Sequence, residues 1–245
     1  MTSLSLLGPL GRQRSFSDKL YPTLTLWLRM VDLKRVKAHT QYVLSDGTRV
    51  PGVTTVLSIL AKPALVPWAN RLGLQGIDVA KYVDELADAG TCAHYLIECH
   101  LGGIEPDLSP FSDEQIGMAR NSLAKFYEWE EQNKPQVVAS EVPLVSEKYK
   151  YGGTIDLIAR IGNRMEVIDF KTAKGLYPEH AHQLAAYVEL ARENGYPVKR
   201  ARILRIGRTS DEGFEERQWA VKELKENFEL FKHALAIYQI QRRRG

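Results

Sequence analysis

The stretch EVIDFKTAK at residues 166–174 places an acid and a base two residues apart among apolar side chains. The apolar residues predict a buried strand, and because side chains alternate faces along a strand, Asp169 and Lys171 should point the same way. Burying charged groups is costly unless they are paired, hydrogen-bonded or bound to a metal ion. The stretch therefore predicts either an ion pair in the core or a site whose chemistry needs both charges.

An acid followed two residues later by lysine carries little information alone, since charged residues make up about 25% of a typical sequence and the pair is expected about once or twice by chance. The same pattern occurs at residues 32–34 and 223–225. The first lies in an irregular polar segment, and the second on a predicted helix, where residues two apart do not face each other. Only the pair at 169–171 lies on an apolar strand.

A second acid, Asp156, lies in the neighbouring apolar stretch GGTIDLIA. A Gly-Asn turn predicts that strands 154–161 and 164–170 pair as an antiparallel hairpin, with Asp156 and Asp169 at similar distances from the turn. Like charges facing each other across a hairpin are destabilising, and a divalent cation between them would remove the repulsion. Oxygen ligands of this kind suit Mg²⁺ or Mn²⁺. The alternative is a salt bridge from Lys171 to one or both aspartates.

Two predicted helices each carry a polar pair four residues apart, and therefore on one face. One pair is His94 and Glu98 in GTCAHYLIECH; the other is Gln183 and Tyr187, on the helix that follows the lysine strand. A lone histidine on a helix is more often a packed or surface residue than a metal ligand. His94 becomes a ligand candidate only in combination with the acids on the strands.

The elements that must position these residues alternate between strands and helices. Hydrophobic periodicity, turn residues and capping signals predict them along the chain. They are a hairpin over 37–57, helices over 77–101 and 112–133, strands over 137–145, 154–161 and 164–170, a helix over 178–194, strands near 201–206 and 215–221, and a final helix to about 240. This order predicts an α/β core with a mixed sheet.

Composition sets outer limits on the function. The chain has 245 residues, 44% of them hydrophobic and 26% charged, as is ordinary for a globular protein. The net charge of +3 neither identifies nor excludes a nucleic-acid binder, and no apolar run reaches the length of a membrane span. Cys92 and Cys99 would lie roughly 10 Å apart on one helix, too far for a disulfide. Because the sequence has no CxxC motif, a zinc or iron–sulfur site bound by cysteines is not expected. The two free cysteines predict a reducing compartment.

Four short motifs follow one another in a fixed order and carry a family resemblance. They are GTxxH at 90–94, GGTxD at 152–156, DFKT at 169–172 and QxxxY at 183–187. Together they resemble the RecB-like branch of the PD-(D/E)xK nucleases. The stretch PGVTTVLSILAKPALVPWAN is similar to the region before the histidine motif in phage-type and mitochondrial genome maintenance exonucleases. The resemblance covers about residues 40–190 and implies a restriction-endonuclease-like α/β core, with a central mixed sheet flanked by helices.

The resemblance also implies a domain organisation. Residues 30–245 are expected to form a single nuclease domain, with a helical part at about 60–134, a catalytic α/β core at about 137–221 and a C-terminal helix at 222–240. Residues 1–29 are basic and rich in Ser and Thr. They are expected to be a disordered extension, with a transit segment or an upstream start before Met30 as alternatives.

By resemblance, each motif residue acquires a role. His94, Asp156, Asp169 and the backbone carbonyl of Phe170 would bind the metal ion, which is expected to be Mg²⁺, with Mn²⁺ able to substitute. Lys171 would position and activate the attacking water. Glu98 or Glu141 would bind a second metal ion or support the site. Gln183 and Tyr187 would orient the lysine or contact the nucleic-acid backbone. Some relatives carry a four-cysteine iron–sulfur cluster, which two cysteines cannot build.

Several residues are candidates for contact with DNA because they combine charge with stacking faces, a mixture that suits single strands. They are Lys148, Tyr149, Lys150 and Tyr151 in the loop KYKYGG, Lys62, Trp68 and Arg71 before the first long helix, and Thr172 and Lys174 after the lysine strand. Ordinary solvated loops are the alternative for the first two sets.

The leading hypothesis is a metal-dependent DNA exonuclease that leaves 5′-phosphate ends and acts in recombination, repair or genome processing, in a phage setting. The alternatives are a non-catalytic DNA-binding module on the same fold and a structure- or sequence-specific endonuclease. The expected partners are single- or double-stranded DNA ends and a recombinase or single-strand-binding protein, with no membrane. The expected location is the cytoplasm of a bacterium or an infected host, with the mitochondrial matrix as the alternative.

Overall fold

A computed structural model of the protein describes residues 40–244. The prediction made for residues 1–29, and the first part of the hairpin predicted from residue 37, lie outside the described residues. No helix within residues 40–244 is long and apolar enough to cross a bilayer.

From residue 79 onward, the helices and strands follow the predicted order. The strands are β1 (Tyr42–Val43), β2 (Arg49–Val50), β3 (Gln136–Ser146), β4 (Tyr151–Ile161), β5 (Arg164–Lys171), β6 (Val198–Ile206) and β7 (Phe214–Ala220). The helices are α1 (Val53–Leu57), α2 (Leu65–Leu74), α3 (Val79–Gly102), α4 (Asp113–Asn133), α5 (Pro178–Glu193) and α6 (Lys225–Arg244), and a 3₁₀ turn (Val221–Leu224) precedes α6.

The sheet that carries the core has five strands in the order β3-β4-β5-β6-β7. The pairs β3–β4, β4–β5 and β6–β7 are antiparallel, whereas β5 and β6 run parallel. The parallel pair is possible because α5 supplies the crossover between the two strands. The predicted mixed sheet is therefore confirmed.

Helices cover both faces of this sheet. On one face, apolar side chains of α5 and α6 pack against inward-pointing residues of β4, β5 and β6. On the other face, side chains of α3 and α4 pack against the alternate residues of the same strands, including Ile168 and Phe170. The middle of these strands is thus covered on both faces, so Asp156 and Asp169 are buried among apolar residues.

The register of β4 and β5 brings the two predicted aspartates together. Leu157 pairs with Ile168, and continuing the register by one pair places Asp156 opposite Asp169. The predicted hairpin is confirmed, with Gly162 in its turn at a φ of 59°, a conformation that favours glycine.

The segment after β2 differs from the prediction. Residues 53–57 were assigned to the second arm of a β-hairpin, but they form helix α1. Val53, Val56 and Leu57 have the three- and four-residue spacing of a helix face, and all three side chains are buried against the core. The prediction was wrong because a five-residue helix and a short strand look alike in a run of β-branched residues.

Candidate active site

Asp156 is held in the middle of the sheet by the neighbouring strand. Its Oδ2 accepts a hydrogen bond of 2.7 Å from the backbone N–H of Phe170, so the carboxylate has a fixed orientation. Although burial opposes ionisation, the positive charge of His94 and its hydrogen bond lower the pKa of Asp156 below its ordinary value. Asp156 is therefore an ionised, pre-oriented acid.

Helix α3 brings His94 to this acid. His94 Nδ1 lies 3.5 Å from Asp156 Oδ1 and 3.8 Å from Glu141 Oε1, and its ring meets Phe170 edge-on with the centroids 5.8 Å apart. Burial disfavours the charged ring, but the two carboxylates outweigh it and raise the pKa of His94 to about 10. A divalent cation held by the same two carboxylates would displace this ring proton, because a histidine ligand must be neutral.

A compact set of potential metal ligands results. One ligand atom each from His94, Glu141 and Asp156 lies within 4.8 Å of the other two, and the three come from α3, β3 and β4. Glu141 has a φ of 45°, a left-handed conformation that costs energy for a residue with a side chain and is typical of functional sites. Of the two supporting acids considered from the sequence, Glu141 belongs to this set and Glu98 does not.

Asp169 lies beside the set and is 1% exposed. Lys171 Nζ is 2.6 Å from its Oδ2, which confirms that the two side chains share a face. Oδ2 is thus occupied by the ammonium group, whereas Oδ1 is a buried oxygen without a hydrogen-bond partner within the described part of the chain. Glu166, the other buried acid on β5, is satisfied by Arg202 Nε at 2.7 Å.

The environment of Asp169 is unfavourable for a bare carboxylate. Burial, only partly offset by Lys171 and reinforced by the negative charge of Asp156, raises the pKa of Asp169 to about 6. An unsatisfied buried polar group calls for an explanation, such as an ion that belongs there. Carboxylate oxygens with free lone pairs beside an imidazole suit Mg²⁺ or Mn²⁺, so these residues fit a divalent cation. The inclusion of Asp169 and the Phe170 carbonyl among its ligands stays a prediction, as does Mg²⁺ as the metal.

Helix α5 adds the last predicted pair. Gln183 Nε2 donates a 2.9 Å hydrogen bond to the Tyr187 hydroxyl. Burial, followed by the negative charges of Asp169 and Asp156, raises the pKa of Tyr187 well above its ordinary value. Tyr187 is thus a neutral hydroxyl group at the inner side of the site, and Gln183 holds it there.

Two glycines of the GGTxD motif make room for aromatic rings. A Cβ on Gly153 would lie 2.7 Å from Tyr187 Cε1, and one on Gly152 would lie 2.3 Å from Tyr42 Cγ. The Tyr42 hydroxyl in turn lies 3.0 Å from Thr154 Oγ1. Sequence reasoning missed Tyr42 and these packing roles. Consecutive glycines on an apolar strand were the available signal, because they mark a close approach.

Not all of the residues predicted to contact DNA in the loop KYKYGG are accessible. Lys148 and Lys150 are exposed, whereas Tyr149 is half-buried with its ring 5.2 Å from that of Phe228. Tyr151 is completely buried and its hydroxyl donates to the Ala186 carbonyl oxygen at 2.9 Å. Its assignment as a DNA-stacking residue is corrected, because a ring inside the core cannot meet a base.

The remaining candidates for DNA contact lie on other elements. Lys62 Nζ pairs with Glu179 Oε1 at 3.0 Å, which places it at the start of α5. Trp68 is partly exposed on α2, its ring 6.4 Å from that of Tyr82. The others are Arg71, exposed on α2, Lys174, exposed after β5, and Thr172, whose Oγ1 faces Gly90.

A family model described as the PD-(D/E)XK nuclease superfamily matches residues 68–242, and no curated protein matches the sequence.

Similar solved structures include the alkaline exonuclease LHK-Exo of Laribacter hongkongensis, with 12% identity and a TM-score of 0.32 over 65% of this chain and 89% of that one. The same exonuclease in complex with dAMP gives 12% identity and a TM-score of 0.34 over the same shares. SSO0001 gives 18% identity and a TM-score of 0.30 over 49% of this chain, which spans 60% of the length of SSO0001.

Proposed function

The chain belongs to the PD-(D/E)XK nuclease superfamily, and from this premise we propose that it is a divalent-metal-dependent DNA exonuclease that leaves 5′-phosphate ends. The fold is the restriction-endonuclease-like one expected for this superfamily, and the family implies DNA as the substrate. Recombination, repair or genome processing is the proposed setting, with a recombinase or single-strand-binding protein as a proposed partner.

The observation that carries the proposal is the convergence of four ionisable groups on one point of the sheet. His94, Glu141 and Asp156 offer ligand atoms within 4.8 Å of one another, and Asp169 adds a buried carboxylate whose Oδ1 has no hydrogen-bond partner. Placing this many acids together has no evident structural benefit, because like charges repel and the desolvation of the buried ones is costly. A divalent cation bound here would neutralise them, polarise a phosphate and acidify a water molecule.

Lys171 supplies the protein's own positive charge at the reacting phosphate. Asp169 Oδ2 fixes the Lys171 ammonium group at 2.6 Å. The lysine side chain is still 16% exposed, so that it can contact a ligand. Placed beside the phosphodiester, the ammonium group donates to the attacking water or to a phosphate oxygen and stabilises the charge that develops during in-line attack. Asp169 thus both orients the lysine and faces the proposed ion.

Gln183 and Tyr187 position this machinery from α5. Tyr187 stays protonated at neutral pH, because burial and the nearby aspartates raise its pKa. Its hydroxyl can therefore donate a hydrogen bond towards the acids while it accepts one from Gln183. The pair is a positioning device that packs against β4 at Gly153.

The experiment is digestion of end-labelled single- and double-stranded DNA by purified protein with Mg²⁺. Lys171→Ala should reduce the rate by at least about 100-fold, the scale of loss for one stabilising group in a transition state. Lys81→Ala removes an exposed lysine early on α3 and should leave the rate unchanged. EDTA should stop cleavage in all three proteins, and release of mononucleotides from one end should identify an exonuclease.

Three results would contradict the proposal. Equal cleavage by wild type and Lys171→Ala would show that the site is wrongly assigned. Cutting of closed circular DNA would indicate an endonuclease. Binding without cleavage in both Mg²⁺ and Mn²⁺ would indicate a non-catalytic DNA-binding module.

A further inference from the structure

Tyr177 is an aromatic residue held in place at the surface. Its side chain is 50% exposed, yet its backbone N–H donates to His180 Nδ1 at 3.3 Å and its carbonyl oxygen accepts from the His180 N–H at 3.0 Å. The two rings meet edge to face with their centroids 5.5 Å apart. The phenol is therefore braced on one side and open to solvent on the other.

His180 is neutral in this arrangement. Burial, and then the positive charge of Lys171, lower the pKa of His180 to about 4. Since Nδ1 accepts the Tyr177 N–H, the single ring proton lies on Nε2. The same effect of Lys171 also indicates that this brace lies within electrostatic reach of the catalytic lysine.

One face of α5 leads from the brace to the buried site. His180, Gln183 and Tyr187 are spaced three and four residues apart and share that face. Tyr187 lies at the inner end, beside the aspartates, and Tyr177 at the outer end, roughly 15 Å away at 1.5 Å rise per residue. The exposed aromatic ring is thus the first group on a line that ends at the reacting centre.

Cations accompany the ring. The ion pair of Lys62 with Glu179 keeps a lysine beside α5, at the residue two after Tyr177, and Lys174 is exposed three residues before Tyr177. An exposed aromatic ring with basic residues near it suits the binding of a single strand, because bases stack on the ring while the charges attract the phosphates.

We propose that Tyr177, braced by His180, is the stacking platform for one unpaired nucleobase of the DNA strand being cut. The inference rests on the proposed function and deepens it by naming single-stranded ends as the substrate. A paired base has both faces covered by its neighbours, so only an unpaired or frayed base can lie on the ring. Tyr177 is a specificity-determining residue that contacts substrate away from the reacting atoms.

The test measures binding separately from cleavage. Fluorescence anisotropy with a labelled single-stranded oligonucleotide is recorded in the Lys171→Ala background, alone and combined with Tyr177→Ala, Tyr177→Phe or Tyr127→Ala. Tyr177→Ala should raise Kd about 5- to 150-fold, the equivalent of about 1–3 kcal/mol for one stacked base. Tyr177→Phe should bind within about 2-fold of the background, because the ring remains. Tyr127, 42% exposed on α4, is the matched control and should have no effect.

An abasic scan identifies stacking specifically. A single abasic nucleotide is moved one position at a time along the oligonucleotide. At one position, the abasic nucleotide should raise the Kd of the background protein by the same factor as Tyr177→Ala does. At that position it should not change the Kd of the Tyr177→Ala protein. A scan that is identical in both proteins would overturn the platform.

The two proposals fail in different ways. If the wild type cleaves DNA but binding does not depend on Tyr177, the proposed stacking platform is wrong and the proposed exonuclease activity stands. Tyrosine-dependent binding without cleavage by the wild type would remove the exonuclease and restrict Tyr177 to a binding role.

Discussion

At the scale of single residues, the site depends on the absence of a side chain as much as on charged groups. Gly153 lies on β4 three residues before Asp156, where the Tyr187 ring crosses the strand. Any Cβ there would overlap the ring, which would have to move and take Gln183 with it. The glycine therefore belongs to the machinery that sets the position of Tyr187.

Gly153→Ala should destabilise the protein by about 1–3 kcal/mol, the usual cost of overpacking a core. It should also lower cleavage more than stability explains, because Tyr187 is displaced from the aspartates. Urea unfolding and DNA cleavage under folding conditions measure the two effects. Gly117→Ala on α4, where an added Cβ meets nothing within 4 Å, is the control and should stabilise by about 0.5–1 kcal/mol. Full activity in Gly153→Ala would contradict the role given to Tyr187.

At the scale of elements, the site is made by the close approach of α3 to the end of β5. A Cβ on Gly90 would lie 2.8 Å from Thr172 Oγ1, so glycine allows the helix to lie against the residue that follows Lys171. His94, four residues later on the same helix, lies beside Asp156 and Glu141, so the close approach at Gly90 helps to set its position. The glycine and the histidine of the GTxxH motif thus serve one purpose.

Gly90→Ala should push α3 away from β5 and separate His94 from Asp156. A displacement of about 1 Å is enough to cost about 100-fold in rate, although alanine is the better helix former. Adding Thr172→Ala removes the atom that clashes, and the double variant should recover most of the activity. Cleavage rates of the two single variants and the double variant measure this coupling. If the losses in cleavage rate of the two single variants simply add up in the double variant, the role of Gly90 is not to let α3 lie close to Thr172.

At the scale of the whole molecule, the sequence was sufficient to predict the sheet and the acids on it, but not the tertiary contacts that complete the site. Alternating apolar residues and a Gly-Asn turn fixed the register that joins Asp156 to Asp169, because a one-residue slip would expose the buried face. The same reasoning could not choose between Glu98 and Glu141. That choice depends on how α3 lies across β3, which is a tertiary contact without a local pattern. The burial of Tyr151 was missed for the same reason, whereas helix α1 was missed because its short β-branched run fits a strand as well as a helix.

A cation at this site should stabilise the entire fold, because its proposed ligands come from α3, β3 and β4. An ion that binds only the folded protein adds RT ln(1 + [L]/Kd), or about 2.7 kcal/mol at 100 times Kd. For a chain of this size, that corresponds to a rise in Tm of roughly 5–10 °C. Thermal unfolding with and without Mn²⁺ should show this rise in the wild type and in Glu131→Gln, which alters an exposed acid on α4. Asp156→Asn and Glu141→Gln should lose most of it. An equal rise in all four proteins would place the ion elsewhere, and no rise in the wild type would mean that the converging acids do not bind a cation tightly enough to stabilise the fold.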